Sequence, residues 1–157
     1  MEHYTEFLPI SRADMETRGW DQLDFVVVGG DAYVDHPSFG TAIISRLLEA
    51  EGYKVGVLAQ PRYTDCEDFK RFGKPKYGFF IGGGNVDSMV SHYSVAKIPR
   101  AEDEYSPGGR GGARPDRSAT VYTRLAKQAY PDLPVILGGL EAVSYTHLRA
   151  HETTLHL

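Results

Sequence analysis

The sequence predicts an α/β fold: a Rossmann-like or flavodoxin-like three-layer sandwich with a mainly parallel sheet. Short apolar runs alternate three times with amphipathic helical patterns, and this order is typical of parallel strands joined by right-handed crossovers. Three of the four runs end in glycines: Gly29-Gly30, Gly82-Gly83-Gly84 and Gly138-Gly139. Glycine lets the backbone approach a ligand closely, and such sheets bind ligands beyond the carboxyl ends of their strands. We therefore expect a ligand crevice at this edge.

The predicted elements begin with a short N-terminal helix, for which Ser11 and Asp14 have the spacing of caps. Each strand is an unalternating apolar run bounded by glycine or proline, as expected for a strand buried on both faces. These runs are residues 24–28, 55–58, 77–81 and 133–137. Apolar residues at helical spacing fill the intervals between them. Helices are accordingly predicted from Pro37, Thr64, Asn85 and Ser118.

Composition restricts the class of protein further. The chain of 157 residues has the length of one domain, and its 41% apolar residues suffice for a core. Its net charge of −4 argues against a nucleic-acid partner, which requires a basic face. The N-terminal residues form no signal peptide, and no apolar run approaches the roughly 20 residues that span a bilayer. We expect a cytoplasmic protein without membrane contact, in which Cys66 is a reduced, partly buried thiol.

Residues 98–117 interrupt the alternation of strands and helices. This segment contains four Gly, three Pro and eight charged residues of balanced sign, without a periodic apolar set. A loop of that length is usually functional or mobile. Three of its four arginines, Arg110, Arg114 and Arg117, lie among its glycines and prolines and have the chemistry to capture phosphate or carboxylate. Neighbouring Asp and Glu residues match their charge, so a solvated loop is the other interpretation.

The loop after the first strand holds the first candidate site residues. Asp31, Tyr33, Asp35 and His36 place two carboxylates, a phenol and an imidazole beside the expected crevice, where they have the chemistry for acid–base or ligand-orienting work. The alternative is a helix cap at Asp35 and an exposed turn residue at His36. The dinucleotide-binding pattern is absent from this loop, because no third glycine opens the following helix.

The glycine turns after the third and fourth strands complete the candidate site. The amides of Gly82–Asn85 at a helix start can hold an anion, but a flexible turn explains the glycines equally well, and Asp87 would repel an anion. The candidate ligand-binding residues are Gly30, Asp31, Tyr33, Asp35, His36, Gly82, Gly83, Gly84, Asn85, Gly138, Gly139 and Glu141. We assign no catalytic residue and no metal ligand. His147 and His151 have helical zinc spacing, but no Glu follows His147 as that motif requires.

Strings spread along the chain resemble the YgiQ family of radical SAM proteins. The resemblance begins at Phe7-Leu8-Pro9, sharpens over residues 30–40 and runs in order to Gly138-Gly139-Leu140-Glu141-Ala142. The other strings are Arg18-Gly19-Trp20-Asp21, Leu58-Ala59-Gln60-Pro61, Gly84-Asn85-Val86-Asp87-Ser88-Met89-Val90, Tyr105-Ser106-Pro107-Gly108-Gly109-Arg110 and Arg114-Pro115-Asp116-Arg117. Each string alone is obscure, but together they are highly specific.

This resemblance implies the N-terminal part of a much larger enzyme. In radical SAM enzymes, a Cys-x-x-x-Cys-x-x-Cys loop holds a [4Fe–4S] cluster that binds and reductively cleaves S-adenosylmethionine. In this family the motif lies downstream of the N-terminal region. This chain has one Cys, so cluster and S-adenosylmethionine are implied for the full-length protein and no cofactor for this chain. A cobalamin site is not supported either, because Asp35 and His36 are adjacent where the cobalamin motif separates them by one residue.

We therefore interpret residues 1–142 as the Rossmann-like N-terminal accessory domain of a radical SAM enzyme of unknown substrate. The implied partner is the downstream radical SAM barrel domain, and without it we expect the chain to be inactive. Residues 143–157 depart from the family pattern, and we interpret them as a disordered or artefactual tail. The alternative function is a stand-alone flavodoxin-like module that binds an anionic small molecule.

Overall fold

The computed structural model describes residues 7–143, and these residues form a four-stranded parallel sheet with helices on both faces. The strands are β1 (Phe25–Gly29), β2 (Val55–Ala59), β3 (Gly78–Gly82) and β4 (Val135–Gly138). Their order across the sheet is β2-β1-β3-β4, and every neighbouring pair is parallel. This arrangement confirms the predicted α/β class. The predicted tail and the His147–His151 pair lie outside the described residues, apart from Val143.

Among residues 7–143, the sheet is accompanied by the helices α1 (Arg12–Thr17), α2 (Gly40–Ala50), α3 (Ser88–His92) and α4 (Ser118–Ala129) and by a helical segment at 140–143. A capping box between Ser11 and Asp14 begins α1, as the sequence predicts. The predicted cap of α3 at Asn85 is wrong. Asp87 caps this helix, because its carboxylate accepts two backbone N–H groups of the first turn, whereas the Asn85 N–H is bound by Asp31.

The predicted helix from Thr64 is also wrong, because only one 3₁₀ turn forms there, at Asp68–Lys70. The Thr64 hydroxyl donates to Asp65, and the Asp65 carboxylate accepts the Glu67 N–H in place of a capping bond. Such local bonds from Asp side chains to the backbone favour turns over helix.

The main core lies on the sheet face that carries Val26, Val28 and Ile81. Helices α1 and α4 and residues 66–72 pack against this face. The buried residues that they supply are Met15, Cys66, Phe69, Phe72, Tyr122, Leu125 and Ala126. Cys66 is a free cysteine at the margin of this core and is 9% exposed.

The opposite face of the sheet, on which Val27, Phe80 and Ile136 share one register row, is less completely covered. Helix α2 packs there against β1 and β2, whereas Ile136 on β4 remains 48% exposed. The two edges of the sheet also differ. The Val57 N–H donates to the Pro9 carbonyl over 2.8 Å, so the N-terminal segment covers β2. Within residues 7–143, no segment pairs with the outer edge of β4.

Candidate functional site

The strand order changes direction between β1 and β3, because the chain runs from β1 to β2 on one side and then returns to β3 on the other. Ligands of open parallel sheets bind at such a point, beyond the carboxyl ends of the strands. A cavity of about 290 Å³ lies there and is called the crevice below. The crevice is lined by Val27, Val28, Gly40, Thr41, Ile44, Phe80, Ile81, Gly82, Gly84, Asn85, Ile136, Gly138 and Gly139.

Four glycines leave open space around the crevice. A Cβ atom added at Gly40, Gly138 or Gly139 would meet nothing within 4 Å, and one at Gly82 would meet only the Gly138 carbonyl, at 3.6 Å. The residues that line the crevice include no charged side chain. Its chemistry therefore suits an apolar or neutral part of a ligand, with polar contacts from Thr41, Asn85 and the backbone.

Three other predicted glycines are instead packed against the protein itself. A Cβ atom at Gly30 would lie 2.1 Å from the Gly83 carbonyl oxygen, and one at Gly83 would lie 2.6 Å from Glu141 Oε2. At Gly84, the φ of +110° and a distance of 2.2 Å to Asp31 Oδ1 both exclude a side chain. The turns after β1 and β3 thus touch backbone to backbone, and glycine is required there by packing.

Asp31 lies at the centre of a buried ion-pair network. Its carboxylate accepts the Asn85 N–H at 2.6 Å and Arg114 Nη1 at 3.0 Å. Burial raises the pKa of Asp31 above its ordinary value, and these two bonds offset only part of the cost of desolvation. The Asp31 carboxylate therefore joins the turn after β3, through Asn85, to the long loop, through Arg114.

Arg114 connects that network to the long loop. Its side chain is 0% exposed, and Nη2 donates to both oxygens of Asp103 at 2.8 Å and to Ser91 Oγ at 2.8 Å. Burial opposes ionisation of Asp103, but hydrogen bonds from Arg114, the Tyr105 N–H and Ser106 outweigh it and lower its pKa. Both sequence interpretations of Arg114, anion capture and a solvated loop, are therefore wrong. Asp103 is one of the acidic residues that the sequence predicts to balance the charge of these arginines, but the structure places this pair in the interior and not in solvent.

Glu141 is buried between the starts of two helices. Its carboxylate accepts the Ser88 N–H at 2.9 Å, the Ala119 N–H at 2.8 Å and the Ser118 hydroxyl at 3.1 Å. A carboxylate is stabilised at helix N-termini by the unsatisfied N–H groups and the helix dipole. Glu141 therefore fixes α3 and α4 relative to the turn after β4.

The remaining predicted residues, Tyr33, Asp35 and His36, do not line the crevice. Asp35 binds the Arg46 guanidinium, and this hydrogen bond lowers the pKa of the carboxyl. The exposed His36 accepts the Ser38 N–H at its Nδ1 atom over 3.1 Å. Tyr33 lines a separate cleft beyond β2. The twelve predicted site residues are thus distributed over the crevice, the buried network and two surface depressions.

The side chains of this chain do not fit an iron–sulfur cluster. Such clusters need several Cys ligands, whereas the sequence has only the buried Cys66. Across residues 7–143, no three His, Cys, Asp or Glu side chains are grouped as a metal site would require. Nor is any helix of that part long and apolar enough to cross a membrane.

Comparisons with known proteins identify the family of this chain. The family described as Radical SAM N-terminal matches residues 7–149, so the match passes residue 142, at which the sequence prediction ended the domain. A UPF0313 protein of Clostridium botulinum (strain Loch Maree / Type A3) is 59% identical over 137 residues, which are 87% of this chain. A UPF0313 protein of Clostridium perfringens (strain SM101 / Type A) is 54% identical over 137 residues.

The chain spans about a fifth of the length of these relatives, since the matched residues make up 21% of each. No solved structure matches. The parallel sheet and the ordered match over nearly the whole chain lead to one assignment: the chain belongs to the Radical SAM N-terminal family, with UPF0313 proteins as its relatives.

Proposed function

We propose that this chain is the accessory domain of a radical SAM enzyme whose [4Fe–4S] cluster and S-adenosylmethionine are held downstream of it. The family match and the short share of each relative that is covered support this proposal. The cysteine content of the chain supports it as well, because a single thiol, that of Cys66, cannot supply the several ligands of a cluster. The domain contributes binding surface, and the radical chemistry takes place in the part of the larger protein that it contacts.

The observation that carries the proposal is the uncovered apolar surface around β4. Ile136 and Leu137 are 48% and 49% exposed, and Leu140 in the helical segment 140–143 is 59% exposed. Ile136 and Leu137 are consecutive in β4, so their side chains lie on opposite faces of the sheet, and this strand is incompletely covered on both faces. Exposed apolar residues on both faces of an unpaired edge strand are typical of an interaction surface. The downstream domain is the occupant that we propose, because the relatives continue for about four times the matched length.

The crevice lies beside this surface, since Ile136 and Gly138 of β4 and the adjacent Gly139 line it. A domain docked on β4 would therefore close the crevice and exclude water from it. We propose that Asn85, Thr41 and the open glycines contribute to a ligand pocket completed by that domain. Asp31, Glu141 and Gly83 support this pocket through the packing of the turns.

The cluster proposal is tested by anaerobic reconstitution of this chain beside a full-length UPF0313 relative, followed by iron and sulfide analysis. We expect the relative to take up a [4Fe–4S] cluster and cleave S-adenosylmethionine. This chain is expected to do neither, because it lacks the required thiolates. Near-stoichiometric four-iron content in this chain would contradict the proposal. A relative that remains free of iron would contradict it too.

A further inference from the structure

A second cavity, called the arginine cleft below, lies beyond the carboxyl end of β2 and has a volume of about 590 Å³. It is separate from the crevice, because the two cavities share no lining residue. The cleft is lined by Ile10, Ala32, Tyr33, Val57, Ala59, Gln60, Arg71, Pro107, Arg110, Gly111 and Ala113. These residues include two arginines and no carboxylate, so the cleft has a positive character.

Neither arginine is fully neutralised by its neighbours. The Arg110 guanidinium has no ion-pair or hydrogen-bond partner among residues 7–143, and the residue is exposed. Arg71 lies 3.3 Å from Asp68 Oδ1, but Arg62 lies 3.1 Å from the same oxygen. One carboxylate therefore faces two guanidinium groups, and a positive charge remains. Glu102 lies opposite Arg110 in an antiparallel bridge, but no ion pair joins their side chains among the described residues, and Glu102 lines a different depression.

The walls of the cleft are largely apolar. Ile10 and Ala59 contribute aliphatic surface, and Tyr33 adds an aromatic residue. At the end of β2, Gln60 has a φ of +43°, which is uncommon for a residue other than glycine. Its side chain is held in place, since Nε2 donates to Ser106 Oγ at 2.7 Å. Backbone strain of this kind is often found at ligand-binding positions.

We propose that the arginine cleft binds a small organic oxyanion, with its carboxylate or phosphate group on Arg71 and Arg110 and its apolar part against Ile10, Ala59 and Tyr33. Guanidinium groups bind planar carboxylates and phosphates through paired, charge-assisted hydrogen bonds. The apolar walls favour an anion that carries a hydrocarbon or aromatic group over an inorganic ion. The site requires no cluster, so it is independent of the function proposed above.

The test is calorimetric titration of the full chain at low ionic strength with phenyl phosphate, benzoate, inorganic phosphate and phenol. We expect phenyl phosphate or benzoate to saturate one site and phenol to show no binding. Whichever of the two anions binds more tightly shows whether the site prefers a phosphate or a carboxylate group. Inorganic phosphate is expected to bind more weakly than phenyl phosphate. Arg110→Gln should weaken binding of the tighter anion about tenfold or more, because one charge-assisted interaction is lost.

Arg124→Gln is the matched control, because this residue is exposed on α4 and lies outside the cleft. It removes the same charge and should leave the affinity unchanged. Arg71→Gln should reduce the affinity as Arg110→Gln does. The melting temperature of the Arg110 variant is measured as well, and an unchanged value shows that its folding is intact. The proposal is overturned if no anion saturates the protein, or if Arg110→Gln and Arg124→Gln have equal effects.

Discussion

Replacing Arg114 with Met is expected to lower the free energy of unfolding by about 3–5 kcal/mol, the largest effect of any single substitution considered for this chain. Arg114 is fully buried and pairs with Asp31 and Asp103, which are 6% and 2% exposed. The substitution would leave two carboxylates in the interior without their cation, and a buried unpaired charge is far more costly than an exposed one. Urea denaturation followed by circular dichroism measures this loss.

Two variants control the Arg114 experiment. Arg114→Lys keeps the charge but removes the planar fork that reaches Asp31, Asp103 and Ser91 together, so an intermediate loss is expected. Arg124→Met removes an exposed arginine and should change the free energy of unfolding by less than about 0.5 kcal/mol. If Arg114→Met lowers the free energy of unfolding no more than Arg124→Met does, the buried network does not stabilise the fold.

Gly30→Ala is expected to destabilise the protein by about 3 kcal/mol or more, at the upper end of overpacking effects. The added methyl group would lie 2.1 Å from the Gly83 carbonyl oxygen, and the two turns would have to separate to admit it. Gly138→Ala is the matched control, because the same methyl group would meet nothing within 4 Å. Thermal unfolding of both variants makes the comparison. Equal melting temperatures would show that the turns are not in the contact described.

The sheet was predictable from the sequence because buried parallel strands are continuous apolar runs. The runs over residues 24–28 and 77–81 correspond to β1 and β3, and each strand begins and ends one residue later than predicted. The glycines after each run correctly indicated where the strand ends. The helix expected from Thr64 did not form, because Asp65 formed a local turn that competes with a helix start. Such competition depends on side-chain hydrogen bonds that periodicity does not represent.

The candidate site was predictable in part, for a topological reason. Parallel strands bring their carboxyl ends to one edge, so Gly82 and Gly138 meet at the crevice although they are far apart in the chain. The ion pair between Arg114 and Asp31 joins positions 83 residues apart, and no local pattern indicates it. Balanced charge in residues 98–117 was the available signal, but it is compatible with both solvated and buried partners.

Hydrogen exchange at the uncovered surface around β4 tests most directly whether a downstream domain docks on this chain. Hydrogen exchange would be measured for this chain and for the full-length C. botulinum UPF0313 relative, and the aligned amides compared. We expect β4 and residues 140–143 to exchange more slowly in the relative, as the proposed docking of the downstream domain requires. The amides of β2 should exchange alike in both proteins, since the segment at Pro9 already covers that edge. Equal exchange at β4 in the two proteins would contradict docking of the downstream domain on this surface.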